Sequence, residues 1–431
     1  MQTVQIKSRK PLSILPVLQR MQNVTWLHAF MPAIGAAVIG ALAVALLRMG
    51  PAAARRCASH PDGGYSPATE GGTVPARAWR CHRRYAAQDA GMGAACEAQA
   101  VIPIWPCILL VGIFWLMSPL SAQPSSPFTL EATIPLHDVH GRIDHMAIDL
   151  SRKRLMVAEL GNNTVDVIDL GTRTVAHRVS GLREPQGVGY ADRADAIVIA
   201  NAEDGSVRLI NATDFSVLGR VELGDDADNV RIDPRNGLAV IGYGSGGLAL
   251  VDPGSRIRVA DIPLPAHPEG FQIDPSSGRT YVNIPDAHQI AVVDLDTRKL
   301  VASWPTHNAS ANFPMAFNPS PLLIASVFRS APLLQLLDPV TGEERKRLST
   351  CGDADDVFFD PRRARIYISC GAGEIAVLEH KGTDWAGLGT IPTASGARTS
   401  LFVPELDRLF VAERAGLLGS EAAIRVYRPT P

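Results

Sequence analysis

His267–Val293 reads HPEGFQIDPSSGRTYVNIPDAHQIAVV and runs on into Asp294-Leu-Asp-Thr297. Phe271-Gln-Ile273 alternates and stops at Asp274-Pro-Ser-Ser-Gly278, a hairpin turn. Thr280–Asn283 returns, Pro285–His288 loops, and Ile290–Val293 goes out again. Asp294–Thr297 turns and Leu300–Ser303 closes the unit. Four short strands separated by turn residues at fixed offsets make one small antiparallel sheet.

The unit recurs along the chain. Its first turn falls at Asp149, Ala191, Asp233, Asp274, Asn318, Asp360 and Pro404, in steps of 42, 42, 41, 44, 42 and 44 residues. Its second turn falls at Asp169, Asn211, Asp252, Asp294 and Asp338, with Glu379 as a degenerate sixth copy. Two independent markers share one period, and a period of about 40–45 is that of four-stranded propeller blades. The expected fold is all-β: a seven-bladed β-propeller of four-stranded antiparallel blades over residues 128–428. A blade cannot bury both faces alone, so the repeat argues for one large domain within the 431 residues. The last copy has room for three strands, Leu401–Val403, Leu409–Ala412 and Ile424–Tyr427. An unpaired edge would stay open there, so Phe128–Ile134 is expected to supply the fourth, outermost strand.

Composition narrows the function classes. The formal net charge is −2, and the repeat region holds no Lys/Arg run, which argues against a nucleic-acid surface. Aromatics are few at 6%, so cores between blades must rest on Val, Ile, Leu and Ala. Residues 1–100 form an N-terminal extension without periodicity, expected to be disordered, with an apolar transmembrane candidate at 30–47. A second apolar run, Val101–Leu120, is followed by Ser121-Ala-Gln-Pro. Residues 101–122 therefore read as a signal peptide cleaved near Ala122, or as an uncleaved anchor over 101–120. Arginines precede the segment and positive charge stays inside, so either reading exports the repeat domain, in a bacterium to the periplasm. Membrane contact is expected only through this N-terminal part, and the domain is expected to be a monomer.

Of six cysteines only Cys351 and Cys370 lie in the repeats. With Asp360 and Arg365 as hairpin partners, Cys370 faces Asp355, and Cys351 could fold over to meet it. A disulfide and two buried thiols are both compatible with this spacing. No CxxC pair supports zinc or haem.

Numbering back from the first turn, positions −1 and −3 are apolar in every copy, as a core-facing side should be. Position −5 shares their parity but reads Asp144, Gln186, Asp228, Glu269, Phe313, Asp355 and Thr399. Position −7 adds Arg142, Glu184, Asp226, His267 and Asp353, while −4 and −6 contribute His145, Asn229, Asp356, Asn312 and Arg398. The first strand of a blade is the innermost, so these side chains should ring one mouth of the central channel. Convergent polar groups at a concave mouth mark the candidate ligand site. Clustered carboxylates bind a cation, pair with Arg142 or Arg398, or take up protons. Asp144, Asp228, Glu269 and Asp355 are the set that would hold calcium or magnesium. The plainer reading is that Asp and Asn at such places cap turns. His145 and His267, expected near Asp144 and Glu269, could act as general bases; the plainer reading is a hydrogen bond to a loop carbonyl.

The copies Arg154–Ala158 with Val165–Leu170, and Arg279–Asn283 with Ile290–Leu295, resemble the YVTN repeats of YncE-like seven-bladed propellers. HPEGFQID (267–274), NFPMAFN (312–318), GDADDVFFD (352–360) and GARTSLFVPE (396–405) look like an exported bacterial branch of that family. The resemblance covers about Phe128–Arg428 and implies a fold rather than a reaction. Related propellers include lactonases and the large subunit of quinoprotein amine dehydrogenases. Three readings follow. The first is a propeller that binds a small molecule or a periplasmic protein at its mouth. The second is a metal-assisted lactonase or related hydrolase using the acidic ring. The third, a redox subunit, lacks any CxxCH motif or cofactor-linked residue.

Overall fold

The computed structural model describes residues 126–307, 309–416 and 419–431. The extension over 1–100, the apolar segment at 30–47 and the leader or anchor at 101–122 lie outside the described residues. The domain consists of seven four-stranded antiparallel sheets. The blade built on the opening stretch is representative: Phe271–Ile273, Arg279–Ile284, Gln289–Asp294 and Lys299–Pro305, paired in that order. The inner strands neighbour one another in sequence from Met146–Asp149 to Ser400–Val403, and these two meet to close a ring. Blade seven holds Ser400–Val403, Arg408–Glu413, Ala422–Pro429 and Phe128–Leu136, the last pairing antiparallel with Ala422–Pro429.

The turn markers have a local cause. The Asp149 carboxylate accepts the Arg152 N–H at 3.1 Å, Asp274 that of Ser276 at 2.9 Å, and Asp360 that of Arg362 at 3.0 Å. At the second turn, Asp169 accepts the N–H groups of Gly171 and Thr172, and Asp338 those of Val340 and Thr341. An Asp that satisfies the N–H groups two and three residues on sets each turn without help from the rest of the fold. Between blades the strands interleave aliphatic side chains. Met156, Val165 and Val167 of blade one, for example, pack with Val188, Ile197 and Ile199 of blade two, all buried.

Two expectations are corrected. The −1 column is core only in part: Val403 is buried, but Ile148, Tyr190, Ile232, Ile273, Phe317 and Phe359 are only half-buried at the edge of the core clusters, and all of these six except Ile273 line the central channel. Burial is fuller in the −3 column, where Met146, Val188, Val230, Phe271, Met315 and Val357 are buried and only Leu401 of blade seven is half-buried. Cys370 does not face Asp355. Asp360 does pair with Arg365, but a bulge between Ala354 and Asp356 sets Cys370 opposite Ala354. Cys351 and Cys370 form a disulfide with Cα atoms 5.9 Å apart.

Candidate functional site

The same bulge recurs where the site is built. Register breaks fall between Pro185 and Val188, Ala227 and Val230, Asn312 and Met315, and Ala354 and Asp356. In each inner strand the break takes in position −5, and in the first three also −4. A bulge adds an unpaired residue and re-aims side chains. Neighbouring positions that strict alternation would send to opposite faces therefore both turn into the mouth. Asp228 with Asn229 and Asp355 with Asp356 do so.

The result is a cavity of about 230 Å³ to which every blade contributes. Nine of the ten expected site residues line it: Asp144, His145, Asp228, Asn229, His267, Glu269, Asp355, Asp356 and Arg398. Asn312 does not. It is fully buried between blades four and five, where its amide donates to Asn283 Oδ1 at 3.0 Å and to the Gln289 carbonyl at 3.1 Å. Asn312 is a structural residue.

The carboxylates are largely paired. Asp144 lies 2.6 Å from Arg142 and 3.1 Å from His145 Nδ1. Asp355 meets Arg329 and lies 2.9 Å from Arg398, which also reaches Asp353 at 2.8 Å. His267 is not paired with Glu269. Its Nδ1 hydrogen-bonds the Gly244 carbonyl at 2.6 Å, the plainer role, and its ring lies 3.7 Å from Asp228 and 3.6 Å from Asp226. Asp144, Asp228, Glu269 and Asp355 thus come from four blades, and Asp144 and Asp355 are held by guanidinium groups. Among the described residues no three His, Cys, Asp or Glu side chains are placed to hold a metal. Guanidinium groups already pair with two of the four expected ligands, Asp144 and Asp355, and compete there with calcium or magnesium.

Proton affinities follow the same geometry. Burial, with the charge of Asp228 adding to it, pushes the Glu269 carboxyl up to about 8. Burial also raises Asp356, to about 7, with His145 opposing and Asp355 assisting. Burial works against the charge on His145, but the Asp144 carboxylate beside it overrides this and raises the imidazole to about 10. His267 is raised to about 9, its burial outweighed by Asp228 and the Gly244 carbonyl. Both shifts favour the protonated imidazole, which donates rather than accepts a proton, so the carboxylates and not the histidines are the groups raised toward neutrality from below.

A pH dependence follows. Glu269 has a folded pKa above its ordinary value of 4.5, so the unfolded chain ionises first and stability falls as pH rises through about 8. The two histidines add stability that is complete below about 6.5 and lost as pH rises through about 9 and 10. Asp144, held low, contributes fully above about pH 4 and has no effect on this window. The unfolding free energy from urea titration is expected to fall steadily from about pH 5 to about pH 9 and to fall less in Glu269→Gln. A flat profile in the wild type would show that these groups are solvated.

Two charged lining residues escaped the sequence reading, though each had a signal. Arg329 stands eleven residues after its turn marker, a column otherwise reading Leu160, Ala202, Gly244, Pro285, Gly371 and Ala415. Its guanidinium sits 3.7 Å over the Phe313 ring. Arg231 holds position −2, where the other copies carry Ala147, Gly189, Gln272, Ala316, Phe358 and Phe402. In both columns the arginine is the single charged residue.

No protein-family model matches the chain, and no curated protein sequence matches it. Solved structures share its architecture. The hydrazine synthase of Kuenenia stuttgartiensis superposes with a TM-score of 0.59 at 16% identity, over 67% of this chain and 96% of that one. A chain of a mitotic checkpoint complex gives 0.61 at 12% identity, over 73% and 97%. At these identities the likeness shows the fold alone. The class so defined is a seven-bladed β-propeller with an ion-paired, polar cavity at one mouth of its channel.

Proposed function

We propose that the chain is an exported, YncE-like YVTN-repeat propeller that binds a small polar ligand, or the polar tip of a periplasmic protein, at this mouth. The observation that carries the reading is the convergence of ionisable side chains from neighbouring blades on one cavity of about 230 Å³. Buried atoms without protein partners point the same way. Asn229 Oδ1 is one, and the Glu269 carboxyl faces the cavity without an ion-pair partner among the described residues. An unmatched buried polar group is destabilising unless a ligand or water completes it. The Cys351–Cys370 bond supports export, since disulfides persist in oxidising compartments.

The test begins with the full chain expressed in a bacterial host and fractionated. Recovery from the periplasm supports export; recovery from the cytoplasm alone would sink that part. The purified protein is then melted with a panel of amino acids, dicarboxylates, sugars, calcium and magnesium. At least one organic class is expected to raise the melting temperature. Asp228→Ala and Glu269→Ala should remain folded and lose that rise. If both variants unfold instead, these acids are structural and the mouth is not a site.

A further inference from the structure

Beneath the mouth lies a second, larger cavity of about 490 Å³, the central channel itself. The two cavities differ in chemistry. The channel is walled by apolar side chains of the inner strands, among them Ile148, Val188, Phe317, Phe358, Phe359 and Leu401. Its far end is framed by the turn residues Pro319, Pro361 and Pro404, on the opposite face from the mouth. Its near end is a throat of His145, Arg231 and Asp356, which line both cavities.

Arg231 is the unusual member. Every other arginine named at the mouth is neutralised: Arg142 by Asp144, Arg329 by Asp355, and Arg398 by Asp353 and Asp355. Arg231 has no ion-pair partner among the described residues. Its Nη1 donates only to the carbonyl of its own neighbour Val230, at 2.9 Å, and its guanidinium sits 5.6 Å from the Phe271 ring centroid. Burial lowers its proton affinity, with Asp356 and Asp228 only partly restoring it, so its charge is held there at a cost. A guanidinium has five N–H donors in a planar fork that matches a carboxylate or similar oxyanion. An apolar chamber of this volume is within the range that holds small organic ligands.

We propose that the central channel is a binding compartment for an amphiphilic anion, its apolar body lying between the inner strands and its charged head bound by Arg231 at the throat. The compartment shares only the throat residues His145, Arg231 and Asp356 with the polar mouth and goes beyond the mouth reading; Glu269 lines the mouth alone, so its substitution separates failure of one from failure of the other.

Decanoate is the probe, with decanol as its uncharged counterpart, each titrated calorimetrically into the full chain. Decanoate is expected to bind at one site per chain and decanol to bind at least about tenfold more weakly, the scale of a hydrogen-bonded charge pair. Arg231→Gln should bring decanoate down to the level of decanol and leave decanol unchanged, while Arg231→Lys should keep part of the discrimination. The Lys variant retains the charge, so it decides the question if the Gln variant does not fold. Gln272→Trp, which narrows the channel wall, should weaken both ligands. Glu269→Gln, a mouth substitution, should leave decanoate binding within about twofold. Equal affinity for decanoate and decanol overturns the proposal, as does decanoate binding that survives Gln272→Trp. A loss in Glu269→Gln as large as that in Arg231→Gln would move the anion to the mouth and overturn the assignment to Arg231.

Discussion

Phe410→Ala is expected to lower the unfolding free energy by about 3–5 kcal/mol, read as a shift of the urea midpoint at unchanged slope. Phe410 is 2% exposed and lies on the second strand of blade seven. It belongs to a cluster with Ile134, Leu155, Val157 and Ile168, which joins blade seven to blade one. Removing the ring takes away the transfer free energy of its carbons and leaves a void that strands on both sides can close only partly. A β-sheet framework is stiff in this direction, because moving one strand moves the ladder bonds of its neighbours. A loss below about 1 kcal/mol would show that the seam between these blades is loosely packed.

Reduction of the Cys351–Cys370 bond is expected to lower stability by about 3 kcal/mol, the chain-entropy value for a loop of this size. The bond spans a sequence separation of 19 and ties the approach to blade six to the end of its second strand. Cys351→Ser with Cys370→Ser should reproduce the effect in oxidising buffer, and reductant should then have no further influence. Identical midpoints with and without reductant in the wild type would mean the two thiols are unbonded in solution. The bond also sits next to the site: Asp353, Asp355 and Asp356 lie within the loop it closes. Its loss should therefore disturb ligand binding at the mouth before it disturbs the far blades.

The fold was legible because the residues that set it act locally. An Asp that caps its own turn leaves a mark at a fixed place in each repeat, and two such marks with one period suffice for blade number and strand order. The site was legible in part for the same reason. Its side chains sit at fixed distances from those turns, so Asp144, Asp228, Glu269 and Asp355 could be gathered from one column. Three things were hidden. Alternation was carried through positions −5 and −4, where bulges break it, and so Cys370 was set one place off. The −1 column is apolar whether it faces a core or a channel, and Ile232 and Phe359 could not report which. Ion pairing depends on side chains from different blades, so neither the neutralisation of Asp355 by Arg329 nor the approach of His267 to Asp228 rather than Glu269 could be read from spacing. Arg231 and Arg329 were visible as single charges in otherwise uncharged columns, but only to a reading that compared every column rather than those already polar.

The pairing of Phe128–Leu136 with Ala422–Pro429 brings the two ends of the described domain together. The Thr430 N–H donates to the Pro127 carbonyl at 2.9 Å and its hydroxyl to the Ser126 carbonyl at 2.8 Å. The ends meet beside the outermost strand of blade seven, whereas both cavities are walled by inner strands. A short peptide could therefore join them into a closed circle, and the circle could be reopened in the connection between any other two blades. Each such permutant would move the point of attachment around the rim while leaving the mouth and the channel facing the same solvent, which makes the ring a turntable on which a tether or reporter can be set at a chosen angle to the ligand.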